Sequence, residues 1–273
     1  MRIDAHQHFW AIARGDYGWM DGPGLAAIRR DVVPAELAPI LQRHGIDRTV
    51  LVQAAPSIAE THYLLGLADA TDWIGKVVGW VNFDMREDMA ELEKLARHRK
   101  FAGVRPMIQD IADADWMLRP EVRWGFDAIR DLDLTFDALG LSIHFNNFRT
   151  LFKLYPDMRI VLDHCLKPQI RHLAFDDWAL WMQRVAGETS VSCKLSGLAT
   201  EANPGWDIET LRPYAEHVLR VFGPDRVMWG SDWPVLNLNG SYERWLTAAQ
   251  TYVAKADHDT VFGGNAARFY RIA

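Results

Sequence analysis

Cysteine is nearly absent. Cys165 and Cys193 are the only two, and their spacing fits neither a zinc-knuckle nor a disulfide framework, so a reducing compartment is the expectation. No apolar run approaches the ~20 residues that cross a bilayer. The apolar core that a signal peptide needs is broken near the start by Asp4, His6 and His8. We therefore expect a soluble, cytoplasmic protein without a membrane partner. Runs of one charge sign are also missing, and 30 basic against 36 acidic residues leave a net charge of −6. Phosphate binding needs a concentrated basic surface, which excludes nucleic acid as an obligate partner. No Gly-rich turn follows an early strand, as a dinucleotide-binding open sheet would require. Repeats, low-complexity tracts and linker-like breaks in composition are absent too.

What remains is a chain of 273 residues, 49% of them hydrophobic, enough for a sizeable core and about the length of one α/β barrel. Short β-rich runs recur after the opening stretch, at 49–54, 76–83, 101–106, 134–139, 159–165, 190–196 and 226–232. Amphipathic stretches separate them. Asp31 is placed to cap a helix from Pro34 to His44 that Gly45 stops, and Ser57 with Glu60 has the form of a capping box. Further helices are expected at 145–154, 208–222, 242–254 and 257–270. Two long connections, 13–30 and 107–118, have the length of lids or binding loops. Strand–helix alternation implies a parallel sheet, and about eight units imply a closed (β/α)8 barrel forming one domain over residues 1–273.

His6-Gln7-His8 ends the first strand, and on a strand residues i and i+2 share a face, so the two imidazoles project side by side. In such a barrel the C-terminal strand ends converge on one mouth, where catalytic groups gather. Gln53 and Asn82 end the second and third strands, and Arg105 the fourth. Asp137 lies late in the fifth, with His144 just beyond it. Asp163 and His164 end the sixth, Lys194 and Ser196 the seventh, and Asp232 the eighth. Singly, each has a structural reading: Asp163 as a helix cap, Ser196 in a turn, Asp137 neutralised by Arg105. As a set they are poorly explained by structure alone, because unpaired charges are seldom buried. Trp10, Trp80, Trp229 and Trp233 also fall near strand ends, where rings can stack on the apolar face of a sugar.

The stretches 4–10 (DAHQHFW), 103–110 (GVRPMIQD), 161–164 (VLDH) with Lys167-Pro168, 193–197 (CKLSG), 229–235 (WGSDWPV) and 264–270 (GNAARFY) run from end to end of the chain. In this order they resemble the amidohydrolase superfamily, and within it the lactonase-like branch of sugar-lactone and related hydrolases. The pattern is closest to aldonolactonases of the L-rhamnono and L-fucono type. Many superfamily members carry a metal-binding lysine on the fourth strand and a histidine on the fifth. Here Arg105, which cannot ligate a metal, and Asp137 stand there, with His144 only in the following loop. The resemblance therefore implies not a binuclear centre but one divalent cation, zinc or manganese, held by His6, His8 and Asp232, with His164 or His144 completing the shell.

The function so implied is hydrolysis of a 1,4- or 1,5-aldonolactone to the aldonic acid, the substrate being a small molecule. Asp232 is expected as general base and His164 as the group that polarises the carbonyl or orients the water. Arg105 and Lys194 are expected to stabilise the oxyanion. Gln53, Asn82 and His144 would bind sugar hydroxyls, while Trp10, Trp233 and the loop around Tyr17 and Trp19 wall the pocket. Arg105 with Lys194 also suits an anionic ring, so a muconolactone or pyrone-carboxylate hydrolase stays open. A metal-dependent decarboxylase and a non-catalytic sugar-acid binding barrel stay open as well.

Overall fold

The computed structural model describes residues 1–273. Eight strands pair in parallel in chain order. They are β1 (Ile3–Gln7), β2 (Arg48–Val52), β3 (Ile74–Gly79), β4 (Phe101–Val104), β5 (Thr135–Ala138), β6 (Arg159–Leu162), β7 (Ser192–Leu195) and β8 (Val227–Trp229). The helices between and after them are α1 (Pro34–His44), α2 (Ile58–Asp69), α3 (Met89–Ala96), α4 (Arg123–Asp131), α5 (Phe145–Leu154), α6 (Asp176–Glu188), α7 (Leu198–Glu201), α8 (Ile208–Phe222), α9 (Tyr242–Tyr252) and α10 (Asn265–Tyr270). None is long and apolar enough to cross a membrane.

The barrel closes beyond the end of β8. The Asp232 N–H donates to the His6 carbonyl at 2.8 Å, and the His8 N–H to the Trp233 carbonyl at 2.8 Å. The seam that joins first and last strands therefore carries His6, His8 and Asp232. A bulge between Asp4 and Gln7 puts one more residue in β1 than in the facing part of β2. It lets Ala5 pack inside the barrel while its neighbour His6 also faces the interior, against Lys194.

Two apolar cores follow from the alternation of strand side chains. The larger lies between sheet and helices, built from residues such as Leu51, Phe136, Leu162 and Trp245. The smaller fills the barrel interior at its N-terminal end with Ile3, Val50, Val52, Val78 and Val161, plugged by Tyr270 and Ile272 from the chain terminus. The upper interior is polar.

Several local expectations change. Asp31 does not cap α1; its carboxylate accepts the Ile12 N–H at 2.7 Å, and Glu36 instead accepts the N–H of Val33 ahead of Pro34. Ser57 does cap α2, but Glu60 turns inward to the Ala54 and Ala55 N–H groups. Strand six stops at Leu162 because His164, Cys165, Leu166 and Lys167 all adopt left-handed backbone, with φ from 50° to 54°. The helix expected at 257–270 runs from residue 258 to 270 but is not uniform. It widens into a π-type turn at Thr260–Gly264 ahead of α10, and there Gly263 lies against the Met1 carbonyl, where a Cβ would stand 2.0 Å away. The 13–30 connection forms two short 3-10 turns and is tied to the mouth by Trp10, whose Nε1–H donates to the Arg30 carbonyl at 2.8 Å.

Candidate metal and substrate site

Three donor atoms meet at the seam. His6 Nε2 and His8 Nε2 are 3.2 Å apart, and Asp232 Oδ1 lies 3.3 Å from His8 Nε2 and 3.8 Å from His6 Nε2. Ligands of a tetrahedral zinc with bonds of ~2.0–2.1 Å stand about 3.3 Å from one another. The set therefore matches one cation in spacing and in donor type. His164 Nε2, 3.8 Å from Asp232 Oδ1, is within reach of the same centre.

The tautomers favour such a role. His8 Nδ1 is 2.8 Å from the Val52 carbonyl, an acceptor only, so Nδ1 carries the proton and the Nε2 lone pair faces the site. Burial pushes the His6 imidazole well below its usual range, with Asp163 opposing and Lys194 adding to the shift. His164 is pushed down to about 4 by burial, against the pull of Asp232 and Asp163. The His6 and His164 rings are thus held neutral. Burial works against the Asp232 charge, but His164, His8 and His6 together hold its carboxyl well below the usual carboxylate range.

A buried charge network lies beneath. Lys194 Nζ contacts Asp137 Oδ2 at 2.5 Å, Asp163 Oδ1 at 2.9 Å and His6 Nδ1 at 3.1 Å. Tyr270 donates its hydroxyl to Asp137 at 2.7 Å. Arg105 spans the network and the site, with Nη1 3.3 Å from Asp163 Oδ2 and 3.5 Å from His6 Nε2.

Above these groups opens a cavity of about 280 Å³ lined by His8, Trp10, Arg105, His164 and Asp232 among others. Gln53, His144, Lys194 and Trp233 do not line it, contrary to their expected contact with substrate. The amide of Gln53 is spent on the Arg105 carbonyl and guanidinium. His144 Nδ1 accepts the Leu141 N–H at the start of α5. Lys194 is fully buried in its ion pairs. Trp233 turns its ring onto Phe9. Trp19 of the 13–30 connection lies in the cavity wall as expected, and Gln109, Lys167 and Glu201 join it, all from connections rather than strand ends. Lys167-Pro168 was visible as a motif, but the left-handed turn that aims Lys167 was not. That turn costs ~1–2 kcal/mol per residue and is held by the Trp178 N–H on the Cys165 carbonyl at 2.8 Å. Gly197 leaves room for it, since a Cβ there would stand 2.6 Å from that of His164. Such strain concentrates at functional sites.

Known proteins resemble this chain over its full length. An L-fucono-1,5-lactonase of Burkholderia ambifaria is 43% identical to this chain, over 99% of it and 96% of that protein. One of Burkholderia multivorans is 34% identical, over 100% and 96% respectively. The crystal structure of an amidohydrolase from Burkholderia multivorans with bound zinc matches with a TM-score of 0.94 at 31% identity, both chains covered in full. The family model described as amidohydrolase matches residues 3–272, and the chain belongs to that family.

Proposed function

We propose that the protein hydrolyses a sugar lactone to its aldonic acid, and that the substrate is an aldonolactone of the L-fucono or closely related type. The observation that carries this reading is the convergence of His6, His8 and Asp232 on one point at the base of a substrate-sized cavity. The 43% identity to an L-fucono-1,5-lactonase supports the substrate class.

A divalent cation held by His6, His8 and Asp232, zinc by analogy with the related structure, would polarise the carbonyl and lower the pKa of water to ~7. Asp232 takes the proton of the attacking water as its oxygen bonds to the carbonyl carbon. The bond to the ring oxygen then breaks, and Asp232 returns the proton to that oxygen, which leaves a hydroxyl and a carboxylic acid that releases its proton to solvent. Arg105, anchored by Asp163 and Gln53, faces the developing oxyanion. His164, with Nδ1 3.0 Å from the Ser196 hydroxyl, orients the water. Trp10, stacked beside His8 and edge-on to Trp19, walls the sugar's apolar face.

A carboxylated lactone of the muconolactone or pyrone type fits less well. The cations Arg105 and Lys167 in the wall face three carboxylates, Asp110, Glu201 and Asp232. A panel of aldonolactones and carboxylated lactones, assayed by acid release on metal-stripped and zinc- or manganese-reconstituted protein, tests the reading. Release from an aldonolactone that depends on the added metal is expected; no release from any lactone would overturn it. Cys165 and Cys193 are buried free thiols, which supports a reducing, cytoplasmic setting.

A further inference from the structure

Glu201 ends the short helix α7 and lines the cavity. The other charged groups of the wall are engaged within the protein. Arg105 pairs with Asp163, Asp232 lies against His8, and Lys167 Nζ donates to Gln109 Oε1 at 2.6 Å. Asp110 lies 3.5 Å from the Gln109 amide. The Glu201 carboxylate has neither a hydrogen bond nor an ion pair to any side chain or backbone group. Its own N–H is committed to the Gly197 carbonyl at 3.3 Å, so the backbone beneath it is set. Burial raises its pKa, with Lys167 and Arg171 opposing and Asp232 adding.

A half-buried carboxylate without a protein donor is left free to accept hydrogen bonds from whatever occupies the cavity. A ligand rich in hydroxyls supplies such donors, and two adjacent hydroxyls can meet both carboxylate oxygens. A ligand carboxylate would instead be repelled. Lys167 keeps two N–H donors beyond the one given to Gln109 and adds bonds to hydroxyl oxygens from the same wall.

We propose that Glu201 binds ring hydroxyls of the lactone and so selects neutral polyhydroxylated lactones over carboxylated ones. The proposal rests on the lactonase reading of the site. In it Glu201 positions substrate and takes no part in bond making.

The test compares wild type with Glu201→Gln and Glu201→Ala on L-fucono-1,5-lactone and on δ-valerolactone, a six-membered lactone without hydroxyls. On the sugar lactone KM should rise by about 10- to 100-fold while kcat stays within about threefold, since the lost bonds act on binding. The kcat/KM for δ-valerolactone, the zinc content and the thermal midpoint should be unchanged. Variants that keep the wild-type KM, that lose kcat at constant KM, or that lose equally on both lactones overturn the proposal while leaving the lactonase reading intact. Wild-type protein that opens neither lactone overturns the lactonase reading and this proposal with it.

Discussion

His6 Nε2 and His8 Nε2 stand 3.2 Å apart with Asp232 Oδ1 beside them, two imidazole nitrogens closer than neutral lone pairs tolerate without a shared cation or proton. His8→Ala and Asp232→Asn each remove one of the three donors. The expected outcome is about one zinc per wild-type chain and a loss of at least 10-fold in zinc affinity in each variant, read by metal analysis after dialysis. For Asp232→Asn, kcat should also fall by ~10³-fold or more, as both base and ligand are gone. Full zinc content in both variants would refute the ligand assignment.

Gly230 packs against the first of these ligands. A Cβ there would meet the His6 Cβ at 2.7 Å and its backbone nitrogen at 3.1 Å. Gly230→Ala should push β1 outward, cost about 1–3 kcal/mol in urea unfolding, and weaken zinc binding with every ligand still in place. A variant with wild-type stability and zinc affinity would show that the seam yields freely.

Lys194 offsets two buried carboxylates at once, Asp137 and Asp163. Lys194→Met leaves Asp137 without a cation in the barrel interior and Asp163 with Arg105 alone. Breaking a buried pair in this way costs about 3–5 kcal/mol. A thermal midpoint within a degree of wild type would contradict the structural role assigned to it. If Lys194 bound substrate instead, the variant would raise KM with stability unchanged.

Glu60 makes stability depend on pH. Burial pushes its carboxyl from the ordinary 4.5 up to about 7, against the bonds from the Ala55 and Ala54 N–H groups. Between these values the folded chain holds a proton that the unfolded chain releases. Its contribution is therefore fully present below pH 4.5 and is lost as pH rises to about 7. The loss amounts to about 3 kcal/mol. The stability of Glu60→Gln relative to wild type, from urea unfolding, should rise by about this amount between pH 5 and pH 8. A difference independent of pH would be incompatible with the raised pKa.

Much of the architecture was legible because its signals are local. The apolar faces at 145–154 and 208–222 coincide with α5 and α8, Gly45 ends α1 in left-handed backbone, and strand–helix alternation yields eight parallel strands in chain order. The pairing of His6 with His8 follows from strand periodicity, and Asp232 was expected at the same rim. Strand ends were less legible. The turns after Leu162 and Trp229 depend on left-handed residues, among them His164 and Asp232, that carry no sequence mark of that conformation.

Depth inside the barrel was not legible either. Alternation tells which residues point inward, and Lys194, Asp137 and Arg105 all do. It does not tell which inward residue stops at the dry interior and which reaches the cavity, because that level is set by the stagger of neighbouring strands and by the chain end that plugs the base. Lys194 ends among Asp137, Asp163 and His6, whereas Arg105 lies between that network and the cavity. The fold class and the three converging donors rest on period and order along the chain. Glu201 and Lys167 enter the wall only because the loops after β7 and β6 fold back over the mouth, a contact between distant segments that no local pattern encodes.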